Sequence, residues 1–141
     1  MTSPSGNTVF FIDRCLGKHP IAEEIRSAGV QVEIHDDHFP AGATDQEWIP
    51  QVGRKGWIVL TKDQRIAYNA LERQAVARVG IRMFTLSSGN VSGKDTAIAF
   101  RKALNPMLKF ISKNPAPFIA KVYKDGSVKP WKNANDLLSE I

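Results

Sequence analysis

Short apolar runs alternate along this chain with amphipathic segments. Runs at about 8–12, 30–34, 57–61 and 81–85 have the length and the β-branched and aromatic content of buried strands. Between them lie helical patterns. One covers about 19–28, with Ile21, Ala22 and Ile25 as its apolar face, and another covers about 64–78. Thr44-Asp45-Gln46-Glu47 has the form of a capping box, so a short helix should begin there and end at Gly53 and Gly56. After Gly93 a long helix places Ala97, Phe100, Leu104, Met107, Leu108 and Ile111 on one stripe. Asp125-Gly126, between Pro117–Lys124 and Ser127–Trp131, marks a β-hairpin. Strands alternating with helices predict an α/β fold whose parallel β-sheet is sandwiched by helices, with the C-terminal β-hairpin added.

Charge changes this picture because it is segregated. Residues 23–47 carry seven acidic side chains and one cation, Arg26, whereas residues 54–132 carry 16 Lys and Arg against four acidic residues. A basic body around an acidic mouth suits a polyanion held for metal-assisted chemistry, because cations pair with phosphates and carboxylates hold the metal. A merely solvated surface explains the charge pattern equally well. The single cysteine, Cys15, precludes an internal disulfide and a cysteine-based zinc site, and fits a reducing compartment. No apolar stretch approaches a membrane span and the first residues lack the features of a signal peptide, so a cytoplasmic protein is expected.

Two of the apolar runs stop on an aspartate, Asp13 and Asp63. If they are neighbouring parallel strands, the two carboxylates converge at one crevice and repel each other unless a cation or a shared proton intervenes. Each alone could equally be a helix cap. Asp45 and Glu47, taken singly, lean towards the capping box. Together these four form an oxygen-donor set suited to magnesium or manganese. In His35-Asp36-Asp37-His38, adjacent residues of an extended stretch point apart and no third ligand set follows, which argues against zinc. Asp36 and Asp37 remain candidates for a second metal-binding or a substrate-positioning role, or for a solvated loop. Gly89–Asp95 fails as a nucleotide-binding loop, but Ser88 and Asn90 could still meet a phosphate or a metal-bound water. Arg65, just beyond Asp63, could reach a phosphate or lie free on the surface. There is no nucleophile elbow for serine hydrolysis, and Cys15 stands where haloacid-dehalogenase phosphatases need a second aspartate.

The ordered series Phe11–Gly17, His35–Phe39, Asp45–Trp48, Trp57–Asp63 and Ser88–Asn90 resembles the PIN-like ribonucleases, closest to the VapC-type toxins of toxin–antitoxin systems. The resemblance covers roughly residues 8–125. It implies a magnesium- or manganese-dependent ribonuclease in which Asp13 and Asp63 hold the metal and Asp45 or Glu47 supplies the intervening acidic group. It also implies RNA as substrate and a protein antitoxin as partner. Many members carry glutamate after the first aspartate and another acid near the fourth strand, where this chain has Arg14 and then Ser88 and Asn90. Residues 1–7 are expected to be disordered, 8–116 to form the PIN-like α/β domain, and 117–141 to add the hairpin and a short helix to that domain. A homodimer is left open. Two other functions fit the same residues. A non-catalytic RNA-binding module would use Lys121, Lys124 and Lys129, with Lys132, Tyr123 and Trp131, whereas a magnesium-dependent small-molecule phosphohydrolase would use the carboxylates alone.

Overall fold

The computed structural model describes residues 8–16, 19–87 and 91–141, with His19 described by its backbone only. The expected disordered segment 1–7, the loop residues Ser88 and Asn90, and Gly17 of the motif series lie outside them. Six strands form one sheet: β1 (Val9–Ile12), β2 (Gln31–Ile34), β3 (Ile58–Thr61), β4 (Arg82–Leu86), β5 (Phe118–Val122) and β6 (Val128–Lys132). Their order is β2-β1-β3-β4-β5-β6, parallel throughout except for the antiparallel β5–β6 pair. Chain direction across the sheet therefore reverses at β1, between β2 and β3. A doubly wound sheet opens a crevice at that switch point, beyond the carboxyl ends of the strands.

Strand alternation sends successive side chains to opposite cores. Phe10, Ile12, Ile58, Leu60, Phe84, Phe118 and Ala120 meet helices α1 (His19–Arg26) and α5 (Gly93–Lys113) on one face. Phe11, Val59, Met83 and Ile119 meet α2 (Asp45–Lys55), α3 (Arg65–Tyr68), α4 (Ala70–Val79) and α6 (Ala134–Leu138) on the other. The expected stripes of α1 and α5 are buried as read, with Ile111 partly covered. The hairpin turns through Lys124-Asp125-Gly126, where Gly126 takes φ +91°, a conformation in which a side chain would be strained. β6 leaves Lys129 and Pro130 exposed on the sheet's outer edge, features that discourage pairing with another strand.

Two boundaries differ from the sequence reading. Gly53 lies inside α2, which runs on to a left-handed cap at Gly56, φ +71°. A Cβ at Gly53 would come within 2.7 Å of Val79 Cβ, so the glycine permits close approach of α2 to α4 and does not end the helix. The expected helix 64–78 is broken at Asn69, whose backbone is extended and whose side-chain oxygen accepts the N–H groups of Leu71 (3.0 Å) and Glu72 (3.2 Å). This cap starts a second helix and places Glu72 in its first turn.

Candidate metal centre and active site

β1 and β3 are neighbours in register, Ile12 opposite Leu60, so the residues that follow them emerge together. Asp13 remains tied to β3 through its N–H, which donates to Leu60 O at 2.9 Å, and its side chain is buried. Thr61 Oγ1 donates to Asp13 Oδ2 at 2.8 Å and accepts the Asp63 N–H at 3.0 Å. One buried hydroxyl thus links the two strand-end aspartates. Loss of water pushes the Asp13 carboxyl above the usual range, the hydroxyl offsets part of this, and the charge of Asp45 adds to it. Cys15 is exposed as a residue, yet its sulfur turns inward, 3.4 Å from Asp13 Oδ2 and 3.3 Å from Thr61 Oγ1. Burial of that sulfur and the neighbouring Asp13 charge raise the thiol to about 11, so it is inert at neutral pH.

Asp45 enters the site from the first turn of α2 and is held there by an aromatic wall. Trp48 Nε1 donates to Asp45 Oδ1 at 2.9 Å, and the Trp48 ring packs 5.4 Å from that of Phe11, two residues before Asp13 on β1. Glu47 is exposed and its carboxylate accepts the Thr44 N–H at 3.1 Å, so it serves the helix start. Asp63 is clamped by Arg65. Nε and Nη2 each reach one carboxylate oxygen at 2.9 Å, and the Arg65 N–H adds a third bond at 3.0 Å. That guanidinium holds Asp63 below the usual carboxylate range. Arg65 itself is 86% exposed along its side chain.

A pocket of about 490 Å³ opens over these groups, lined by Asp13, Asp45, Asp63, Arg65, Asp36 and Cys15 among others. His35 forms part of its floor, buried against Phe11 and Phe39, with Nδ1 3.6 Å from Asp36 Oδ1. Arg14 approaches the same oxygen at 3.4 Å. Asp37 is exposed and does not line the pocket. His38 pairs with Glu33 at 2.8 Å and packs on Trp57, and it does not line the pocket. Lys121, Lys124 and Lys129 lie apart, on the hairpin towards the β6 edge of the sheet.

Two residues of the site escaped the sequence reading. Thr61 carried a signal, as the last strand residue two before Asp63, but its role depends on which strand lies beside it. Glu72 carried none, because its place follows from the break at Asn69 and from the packing of α4 on α2. Its Oε2 is buried with no hydrogen-bond partner. Loss of water first, then the charge of Asp45 and a hydrogen bond with it, push its carboxyl up to about 7. Asp63 adds to the repulsion. Among the described residues, no three acidic, imidazole or thiol groups stand close enough together to enclose an ion. The donors nevertheless suit a hard divalent cation: they are carboxylate oxygens, two of them carry raised pKa values because burial strips their water and, secondly, because like charge faces them, and one has an orphaned oxygen.

A family model described as PIN like domain matches residues 8–88. A protein of Mycobacterium tuberculosis named "Putative ribonuclease VapC45" is 28% identical over 123 residues, which cover 84% of this chain and 88% of that protein. No solved structure gave a significant match. The family match spans more than half of the chain and contains both switch-point strands, Asp13, Asp45, Asp63 and Glu72, and so the chain belongs to the PIN-like domain family.

Proposed function

We propose that this protein is a magnesium- or manganese-dependent endoribonuclease, the toxin of a type II toxin–antitoxin system, acting in the cytoplasm on RNA and silenced by a protein antitoxin. The observation that carries the reading is the convergence of Asp13, Asp45, Asp63 and Glu72 on the switch point of a PIN-like sheet. The name of the mycobacterial relative supports the ribonuclease and toxin assignments. No helix among the described residues is long and apolar enough to cross a membrane. Continuity of one sheet through β6 supports treating residues 8–141 as a single domain.

Asp13, Asp45 and Asp63 would hold the metal, with Glu72 supplying from α4 the further carboxylate that Ser88 and Asn90 do not. When bound, the ion acidifies water and offsets the charge that develops on the attacked phosphate. Hydrolysis joins the water oxygen to phosphorus, breaks one P–O ester bond, and requires a proton acceptor and then a donor. Glu72, with its carboxyl near 7, is poised to take up and return that proton at neutral pH. Thr61 fixes the Asp13 carboxylate by its hydroxyl, and Trp48 fixes that of Asp45. Arg65, once released from Asp63, offers a planar fork of donors to an RNA phosphate.

Asp13→Asn and Asp63→Asn test the assignment. Each should lower magnesium-supported RNA cleavage by more than about 100-fold, and Asp13→Asn should leave thermal stability at pH 8 unchanged or raised, since it removes a repelled charge. If both variants keep the parent rate while losing stability, the aspartates are caps and the proposal fails.

A further inference from the structure

The basic hairpin and the acidic pocket sit on the same face of the sheet. Strand register runs Thr61 to Thr85 to Lys121 to Lys129, and Thr61 in turn bonds to Asp13. Three strand spacings of about 4.8 Å separate Asp13 from Lys121, or ~14 Å. Helix α3 packs on this face through Ile66 and Ala67. Its first and last residues, Arg65 and Tyr68, are three apart and so share one side of the turn. Arg65 faces the pocket, and Tyr68, 72% exposed, meets the ring of Trp131 edge to face at 5.4 Å. Lys121 Nζ lies 4.2 Å from the centre of the Trp131 ring, and Lys129 Nζ lies 5.7 Å from that of Tyr123.

From this arrangement we infer that Tyr68 and Trp131, with Lys121 and Lys129, form a stacking subsite for unpaired bases of RNA one to a few nucleotides from the cleaved phosphate. The inference rests on the ribonuclease reading. An exposed tyrosine beside an exposed leucine, Leu71, would by itself suit a protein partner just as well. Charge decides for RNA: Lys121 lies on the Trp131 ring, and the same hairpin carries Lys124, Lys129 and Lys132. The nearby carboxylates are already engaged, Asp125 by the N–H and hydroxyl of its own turn residue Ser127 and Glu140 by Arg73. Every base offers a π face, so such a platform selects unpaired strands without reading sequence. A duplex keeps its bases stacked on each other and gains only the lysine contacts.

The test is binding by the intact protein in excess chelator, comparing a short oligouridylate with an RNA duplex of equal length, followed through tryptophan fluorescence and anisotropy of labelled RNA. Trp48 is buried and Trp57 packs on Phe11 and His38, so Trp131→Phe should remove most of the quench while retaining binding. Tyr68→Ala should weaken the single strand by about 5- to 100-fold and the duplex by less than about twofold, and Tyr68→Phe should restore parent affinity. Single-strand affinity within about twofold of the parent in Tyr68→Ala, an equal loss on the duplex, or no binding by the parent at low salt would each overturn the subsite. The two readings fail separately. Metal-supported cleavage with unchanged Tyr68→Ala affinity removes the platform alone, whereas the expected binding pattern from a parent that cleaves no RNA removes the nuclease and retains the platform.

Discussion

Glu72 gives the most direct measure of the burial and charge crowding that the proposed function requires. The fold binds its proton more tightly than the unfolded chain does, so the contribution of this group to stability is complete below about 4.5 and is lost as pH rises through about 7. A rise of that size corresponds to ~3 kcal/mol of preference for the protonated form, and solvent screening at a partly exposed position reduces it to ~1 kcal/mol. Glu72→Gln keeps the shape, removes the titration and offers an amide hydrogen to Asp45. In chelator at pH 8 it should therefore raise stability by ~1 kcal/mol, or about 3–4 °C in Tm for a chain of this size. At pH 5, where Glu72 is largely protonated, parent and variant should coincide. Magnesium should then stabilise the parent more than the variant, because the ion relieves the same repulsion. Urea denaturation at the two pH values measures all of this. A destabilised variant at pH 8, or an equal change at pH 5 and pH 8, would refute the claim that Glu72 faces Asp45 as a like charge.

Four further outcomes follow from other parts of the molecule. After chelation, magnesium or manganese should restore RNA cleavage and zinc should not, as read by loss of a labelled RNA; full cleavage in chelator would remove the proposed mechanism. Replacing Lys121, Lys124 and Lys129 together should flatten the salt dependence of RNA binding, by roughly 0.7 for each phosphate no longer neutralised in a plot of log affinity against log salt; an unchanged slope would move the phosphate track to α5. Expression of the protein alone in a bacterial host should arrest growth and expression of Asp13→Asn should not; harmless expression of an RNA-cleaving protein would refute the toxin role. Gly53→Ala should cost about 1–3 kcal/mol through collision with Val79, and a thermal melt matching the parent would show that α2 and α4 have room to part.

The parts of the fold that could be read from the chain are those with a local period. Val9–Ile12 and Ile58–Thr61 are apolar on both faces because both faces of a parallel sheet are covered, and the stripe from Ala97 to Leu108 declares its helix. Asp13 and Asp63 were legible for the same reason, as polar residues ending apolar strands. Asn69 was not, because the segment around it keeps helical composition and the break lies in one side chain bonding two N–H groups. Glu72 depended on that break. The choice between Asp45 and Glu47 was equally closed to sequence reasoning, since both sit in one helical turn and only the indole of Trp48 turns one of them inward.

The Arg65 clamp makes cation loading an exchange. A divalent ion that takes both oxygens of Asp63 must displace a guanidinium that already neutralises it through two hydrogen bonds, beside a third from the main-chain N–H. The displaced guanidinium is exposed, and the phosphate backbone of RNA is the partner it would next meet. Under the proposed function, ion and RNA then compete for nothing and each frees what the other needs. Their affinities must rise together by the same factor, since coupling between two binding events is reciprocal.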